Sequence, residues 1–179
     1  MSPMRKWSSV IALLLLVGCR SELDLAGAEV ALEREPAGLH AADFRHYEVR
    51  IAEDGAFTFT AHGLDGLDRT RTGQIPADLL REFFELALEL DFFELQPSHG
   101  WPMSDEVPVT LEFALAGRRA RVVNHCPVET LDVLAEIGIR ATAEEFEIPS
   151  RLTHLASSID AAVGSRPLLA EVIAEEAGR

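Results

Sequence analysis

The sequence predicts an α+β domain, a mostly antiparallel sheet of two hairpins plus flanking strands, with two helices packed on one face. Three observations carry this prediction. Apolar and polar residues alternate on both sides of a short turn at 46–62 and again at 107–124. Apolar residues recur at helical spacing from residue 76 and from residue 150. The order strand, hairpin, strand, helix, hairpin, helix buries both helical stripes and one sheet face when the helices share that face.

In chain order, residues 28–33 read as a first strand, and 34–43, with Pro36 and Gly38, as a connection. Tyr47, Val49 and Ile51 alternate with polar residues before Asp54 and Gly55, and Phe57, Phe59 and Ala61 alternate after them. A two-residue Asp54-Gly55 loop places these apolar rows on opposite faces. A three-residue loop, Glu53-Asp54-Gly55 with Gly55 left-handed, pairs Ile51 with Phe57, Val49 with Phe59 and Tyr47 with Ala61, and is the predicted register. Residues 69–75 are expected as a further strand of this sheet.

Pro76 starts a helix whose wide apolar face is Leu79, Phe83, Leu86 and Leu90, flanked by Leu80, Phe84 and Ala87. Arg81, Glu82, Glu85 and Glu89 face water, and Asp78 suits the positive end of the helix dipole. The segment Asp91-Phe92-Phe93-Glu94-Leu95 is expected to pack under the sheet. In the second hairpin a two-residue Ala116-Gly117 turn sets Phe113 opposite Ala120, Leu111 opposite Val122, and Glu112 opposite Arg121 on the other face. Residues 126–149 form an acidic segment with a short helix near 128–137 and a capping box at Thr142 and Glu145. The last firm helix is expected near Ser150, burying Leu152, Leu155, Ile159 and Val163 and ending at Gly164, with a helical turn or two around Leu168, Leu169, Val172 and Ile173.

The chain opens with Arg5 and Lys6, then the apolar run 10–17, then Gly18 and Cys19. That run is far short of the about 20 residues that span a bilayer as a helix and suits the apolar region of an export signal. Leu16-Val17-Gly18-Cys19 resembles the lipobox of bacterial lipoproteins. The resemblance implies cleavage between Gly18 and Cys19, thioether linkage of Cys19 to diacylglycerol and further acylation, which together make a firm anchor. Arg20 follows, where many enteric lipoproteins kept at the inner membrane carry Asp, which favours the periplasmic face of the outer membrane. The expected organisation is a signal peptide at 1–18, a lipidated tether at 19–27 and one domain at 28–179.

Loss of Arg5 and Lys6 with the signal takes the formal net charge from −14 to −16. A surface this acidic repels phosphate backbones and anionic headgroups, so no nucleic-acid partner is expected and the membrane is reached through the lipid on Cys19. Lys6 is the only lysine, which excludes Schiff-base chemistry and P-loop phosphate binding in the processed chain. With Cys19 lipidated, Cys126 is the sole thiol, so no intrachain disulfide forms and stability rests on a packed core.

From about residue 28 to 169 the chain resembles an uncharacterised family of secreted bacterial lipoproteins, a domain of unknown function. The resemblance rests on Tyr47-Glu48-Val49-Arg50-Ile51, Asp54-Gly55, Thr72-Gly73-Gln74-Ile75, Asp91-Phe92-Phe93-Glu94-Leu95, the lead-in 105–108 to the second hairpin, and the closing helix. Family members often carry a cysteine pair just before the first hairpin, where this chain has none at 36–45, and the stretch 126–149 is longer than usual here. The resemblance implies fold and compartment and assigns no activity.

Four groups of residues are candidate sites. His46 lies opposite His62 on the solvent side of the first hairpin, a spacing at which two imidazoles hold Zn²⁺ or Cu²⁺ if further ligands, His40 the nearest, converge; the plainer reading is two solvated histidines. His125-Cys126-Pro127 invites a thiol nucleophile, but neighbours on an extended segment point to opposite sides, so another base is needed. Arg118, Arg119 and Arg121 form the dense basic cluster, a candidate contact for an anionic partner, or simply cross-strand partners of Glu112. Trp101 and Met103, on a Pro-bounded loop, are a candidate partner contact or a cap on the end of the core. No G-x-S-x-G, H-E-x-x-H or glycine-rich phosphate loop occurs, and no cofactor is expected. The expected function is a non-enzymatic envelope lipoprotein that binds a partner; the alternative is a metal-dependent or thiol-dependent enzyme, or a metal-binding protein, of the cell envelope.

Overall fold

The computed structural model describes residues 23–34, 46–63, 66–102, 108–125, 127–128, 130–136 and 138–177. Strands β1 (Glu29–Arg34), β2 (Tyr47–Ala52), β3 (Ala56–His62), β4 (Asp68–Gln74), β5 (Ser98–His99), β6 (Val109–Leu115) and β7 (Arg118–Asn124) form one sheet in the order β4-β3-β2-β1-β6-β7-β5. Every pairing is antiparallel except that of the short β5 with β7. Helices α1 (Ala77–Glu89), α2 (Leu131–Glu136), α3 (Ala143–Val163) and α4 (Ser165–Ala177) complete the described elements. The fold is the predicted α+β arrangement, with α1 and α3 on one face of the sheet and α4 beside them.

The first hairpin has the predicted register, with Ile51 opposite Phe57, Val49 opposite Phe59 and Tyr47 opposite Ala61. Gly55 takes φ of 82° and donates its N–H to the Ala52 carbonyl at 2.9 Å, closing the bulged loop that keeps both apolar rows on one face. A side chain there would strike the Ile75 carbonyl 2.5 Å away, so glycine also lets the end of β4 lie against the loop. The second hairpin is likewise as predicted, and Ala116 and Gly117 both take positive φ (51° and 78°), the signature of a type I′ turn.

Strand β1 joins the two hairpins. Val30 lies between Ile51 and Phe113, and Leu32 between Val49 and Leu111. Both are completely buried, as a central strand requires. Leu23 and Leu25, expected in the tether, pack against the same core. At the far edge, register places Arg69 and Arg71 of β4 on the helix-covered side, where Arg71 reaches Glu171 of α4 at 3.9 Å. Inward charge of this kind protects an edge strand from pairing with another chain.

Helix α1 buries Leu80, Phe83, Phe84 and Ala87, with Leu90 at its end. The stripe is rotated from the predicted centre, so Leu79 and Leu86 are half-buried, because α1 also contacts α3 and must divide its apolar arc between helix and sheet. Phe84 meets Phe113 edge-on at 5.2 Å, and Phe92, in the 3-10 turn Phe92–Glu94, meets Phe113 at 4.9 Å. That turn thus packs under the sheet as expected.

Helix α3 differs from the prediction. It begins at the Thr142–Glu145 capping box and runs through Pro149, rather than starting near Ser150. Proline removes one helical N–H bond, and packing on both sides outweighs that loss. Phe146 before it packs with Leu134 of α2, and the Pro149 carbonyl accepts from Asn124 Nδ2 at 3.0 Å and Thr153 Oγ1 at 2.9 Å. Gly164, at φ of 74°, then turns the chain into α4, a full helix where only a turn or two was expected.

Candidate functional site

Strand alternation sends every second residue away from the helices. On β1 these are Glu29, Ala31 and Glu33, and beside them stand Glu48 and Arg50 of β2 and Thr110 and Glu112 of β6. Arg119 and Arg121 of β7 complete the row. Arg119 bonds Glu112 and reaches Glu29 at 2.6 Å; Arg50 reaches Glu29 at 3.4 Å and Glu48 at 2.5 Å; Arg121 reaches Glu33 at 2.9 Å. Linked ion pairs therefore cross from β7 to β2 through Arg119, Glu29 and Arg50, with the Arg121–Glu33 pair beside them.

The predicted Glu112–Arg121 pairing is corrected in detail. Those two residues are opposite in register, but the contacts run diagonally, Glu112 to Arg119 and Arg121 to Glu33. Arginine is long enough to cross β6 and reach the carboxylates of β1. The hydrogen bond from Arg119 chiefly holds the Glu29 carboxyl below the ordinary carboxylate range, against the opposing effect of burial. Arg118 points the other way, pairing with Glu94 at 2.6 Å and stacking over Phe93 at 4.6 Å, so the basic cluster is divided between the two faces.

His46 and His62 stand together on the open face with ring centroids 4.6 Å apart. The His62 backbone N–H donates to the His46 carbonyl at 2.9 Å, extending the ladder by one rung. Asp68 Oδ1 lies 2.5 Å from His62 Nδ1, and Glu33 Oε1 lies 3.8 Å from His46 Nε2. Neither carboxylate was identified from sequence, because each belongs to a different strand. Among the described residues, no group of three or more His, Cys, Asp or Glu is arranged to hold a metal. His40 lies outside the described residues.

A third cluster went unrecognised in the sequence. Arg34 at the end of β1 grips Asp160 of α3 through Nε at 3.1 Å and Nη2 at 2.9 Å, and Tyr47 donates its hydroxyl to Asp160 Oδ1 at 2.9 Å. All three line a cleft of about 750 Å³ with Ser157, Ser165 and Arg166. Burial, then the Asp160 charge, pushes the Tyr47 phenol well above its ordinary value, so it stays protonated and donates. The available signal was Tyr47 itself, since a core tyrosine needs a partner for its hydroxyl.

Trp101 is half-buried and packs with the satellite cluster of Leu134 and Phe146, alongside Val128, Leu131 and Ile139. Met103, Cys126, Gly18 and Cys19 lie outside the described residues. His125 donates its backbone N–H to the His99 carbonyl at 2.9 Å, tying the end of β7 to β5. No family model and no curated protein matches the chain.

Proposed function

We propose that the protein is a lipid-anchored, non-enzymatic module of the bacterial cell envelope that docks another envelope protein through the open face of its sheet. The observation that carries this reading is the asymmetry of the sheet. Helices cover one face, while on the other Glu29, Glu33, Glu48 and Glu112 are held in pairs with Arg50, Arg119 and Arg121. Charges already held in place lose little side-chain freedom when a partner lands, and alternating signs select that partner by complementarity. Exposed pairs of this kind contribute little to folding, so recognition is the better account of so many.

The compartment is supported by the signal and lipobox at 1–19, by the likeness to secreted lipoproteins, and by Arg20, which favours the periplasmic face of the outer membrane. No helix among the described residues is long and apolar enough to cross a membrane. A photo-crosslinking residue placed in turn at Thr58 and Arg121 on the open face, at Trp101, and at Leu88 on α1 tests the docking surface in intact cells. A single envelope partner captured from the open-face positions supports the reading; capture only from Leu88 or Trp101, or none from Thr58 and Arg121, rejects it. Mass spectrometry of the purified native protein tests the anchor, and an unmodified residue 19 rejects it.

A further inference from the structure

We propose that His46 and His62 form a two-histidine Cu²⁺ site on the open face, with Asp68 orienting one imidazole and Glu33 standing beside the other. The two residues face each other across the last rung of the first hairpin, and their rings lie 4.6 Å apart, tilted by 36°. Side chains of directly opposed residues spring from Cβ atoms about 5 Å apart, so both imidazoles reach one ion by side-chain rotation alone. Both are accessible, with 27% of His46 and 42% of His62 exposed.

A carboxylate flanks each ring. Asp68 engages His62 Nδ1 at 2.5 Å, which leaves Nε2 as the ring nitrogen for a metal; a carboxylate behind a ligating histidine fixes the ring. Glu33 Oε1 stands 3.8 Å from His46 Nε2. Arg121 holds Glu33 at 2.9 Å, so this carboxylate flanks the pair and is not counted among its ligands. Two protein nitrogens leave positions for water, an arrangement that suits tetragonal Cu²⁺, the tightest-binding of the common divalent ions for imidazole. Water supplies the further ligands that two histidines leave open. The site adjoins the docking face and shares Glu33 with the ion-pair row, but it is read by metal binding and the docking reading by partner capture, so the two fail separately.

The test is titration of the untagged, detergent-purified protein with Cu²⁺ against a competing amino-acid chelator, followed by electron paramagnetic resonance at one equivalent. The expected result is one site per chain with coupling to two imidazole nitrogens. His46→Gln or His62→Gln weakens binding at least about tenfold, Asp68→Asn by about tenfold, and His154→Gln, at an exposed position of α3, leaves it unchanged, each variant being checked for fold by circular dichroism. The proposal is overturned if affinity survives loss of either His46 or His62, if the coupling reports other histidines, or if no equivalent is retained against the chelator. None of these outcomes bears on partner capture.

Discussion

On the covered face of the sheet Val49, Ile51, Phe59 and Phe113 are fully buried, whereas on the open face of the same strands Arg50, Arg119 and Arg121 leave more than half of each side chain exposed. The covered face is held by removal of apolar surface from water, about 25 cal/mol for each Å². The open face is held by exposed ion pairs, in which Coulomb attraction is nearly offset by hydration and side-chain entropy. Stability and order are thus separated across one sheet: the buried side supplies free energy, and the exposed side holds charges in place while supplying little.

The sharpest way to break this comparison is Phe113→Ala. Phe113 meets Phe84 and Phe92, so its loss opens a cavity in the centre of the core, and a fall of about 3–5 kcal/mol in unfolding free energy is expected by denaturant titration. Next comes Asp160→Ala, which leaves the Arg34 guanidinium and the Tyr47 hydroxyl without their shared acceptor. We expect a loss of about 2 kcal/mol, with Asp160→Asn recovering part of it.

A smaller effect is confined to alkaline solution. The Tyr47 phenol titrates near pH about 10 in the unfolded chain and higher in the fold, so between those values the folded state keeps a proton that the unfolded state releases. Its contribution is complete below pH about 10 and is lost as pH rises toward the folded value. Tyr47→Phe should flatten that alkaline decline, measured as the denaturant midpoint at several pH values. The smallest effect belongs to the open face: a double-mutant cycle on Arg121 and Glu33 should give a coupling below about 1 kcal/mol that shrinks further in high salt. A coupling several times larger would mean that the open face stabilises the fold in its own right.

Much of this architecture was legible in the chain. Both hairpin registers followed from one requirement, that apolar rows share a face, combined with the loop each turn sequence allows. The position of His46 beside His62 followed from that register. What stayed hidden depends on residues far apart in sequence. Asp68 and Glu33 come to the histidines from flanking strands, and Asp160 meets Arg34 across most of the chain. Helix α3 crosses Pro149 because Asn124 of a distant strand and Phe146 in the satellite cluster hold it on either side, and local rules weigh only the proline.

By itself, then, the sequence determined what periodicity and turn chemistry control: the α+β class, the two hairpins with their registers, and the helix beginning after Pro76. Only the tertiary structure decided that β1 joins the hairpins into one sheet, that arginines of β7 pair diagonally with β1, and that α3 runs unbroken. The reason is physical. Alternation and capping act between neighbours along the chain, whereas strand order, ion-pair partners and tolerance of a helix-breaking proline are set by long-range packing that no local pattern encodes.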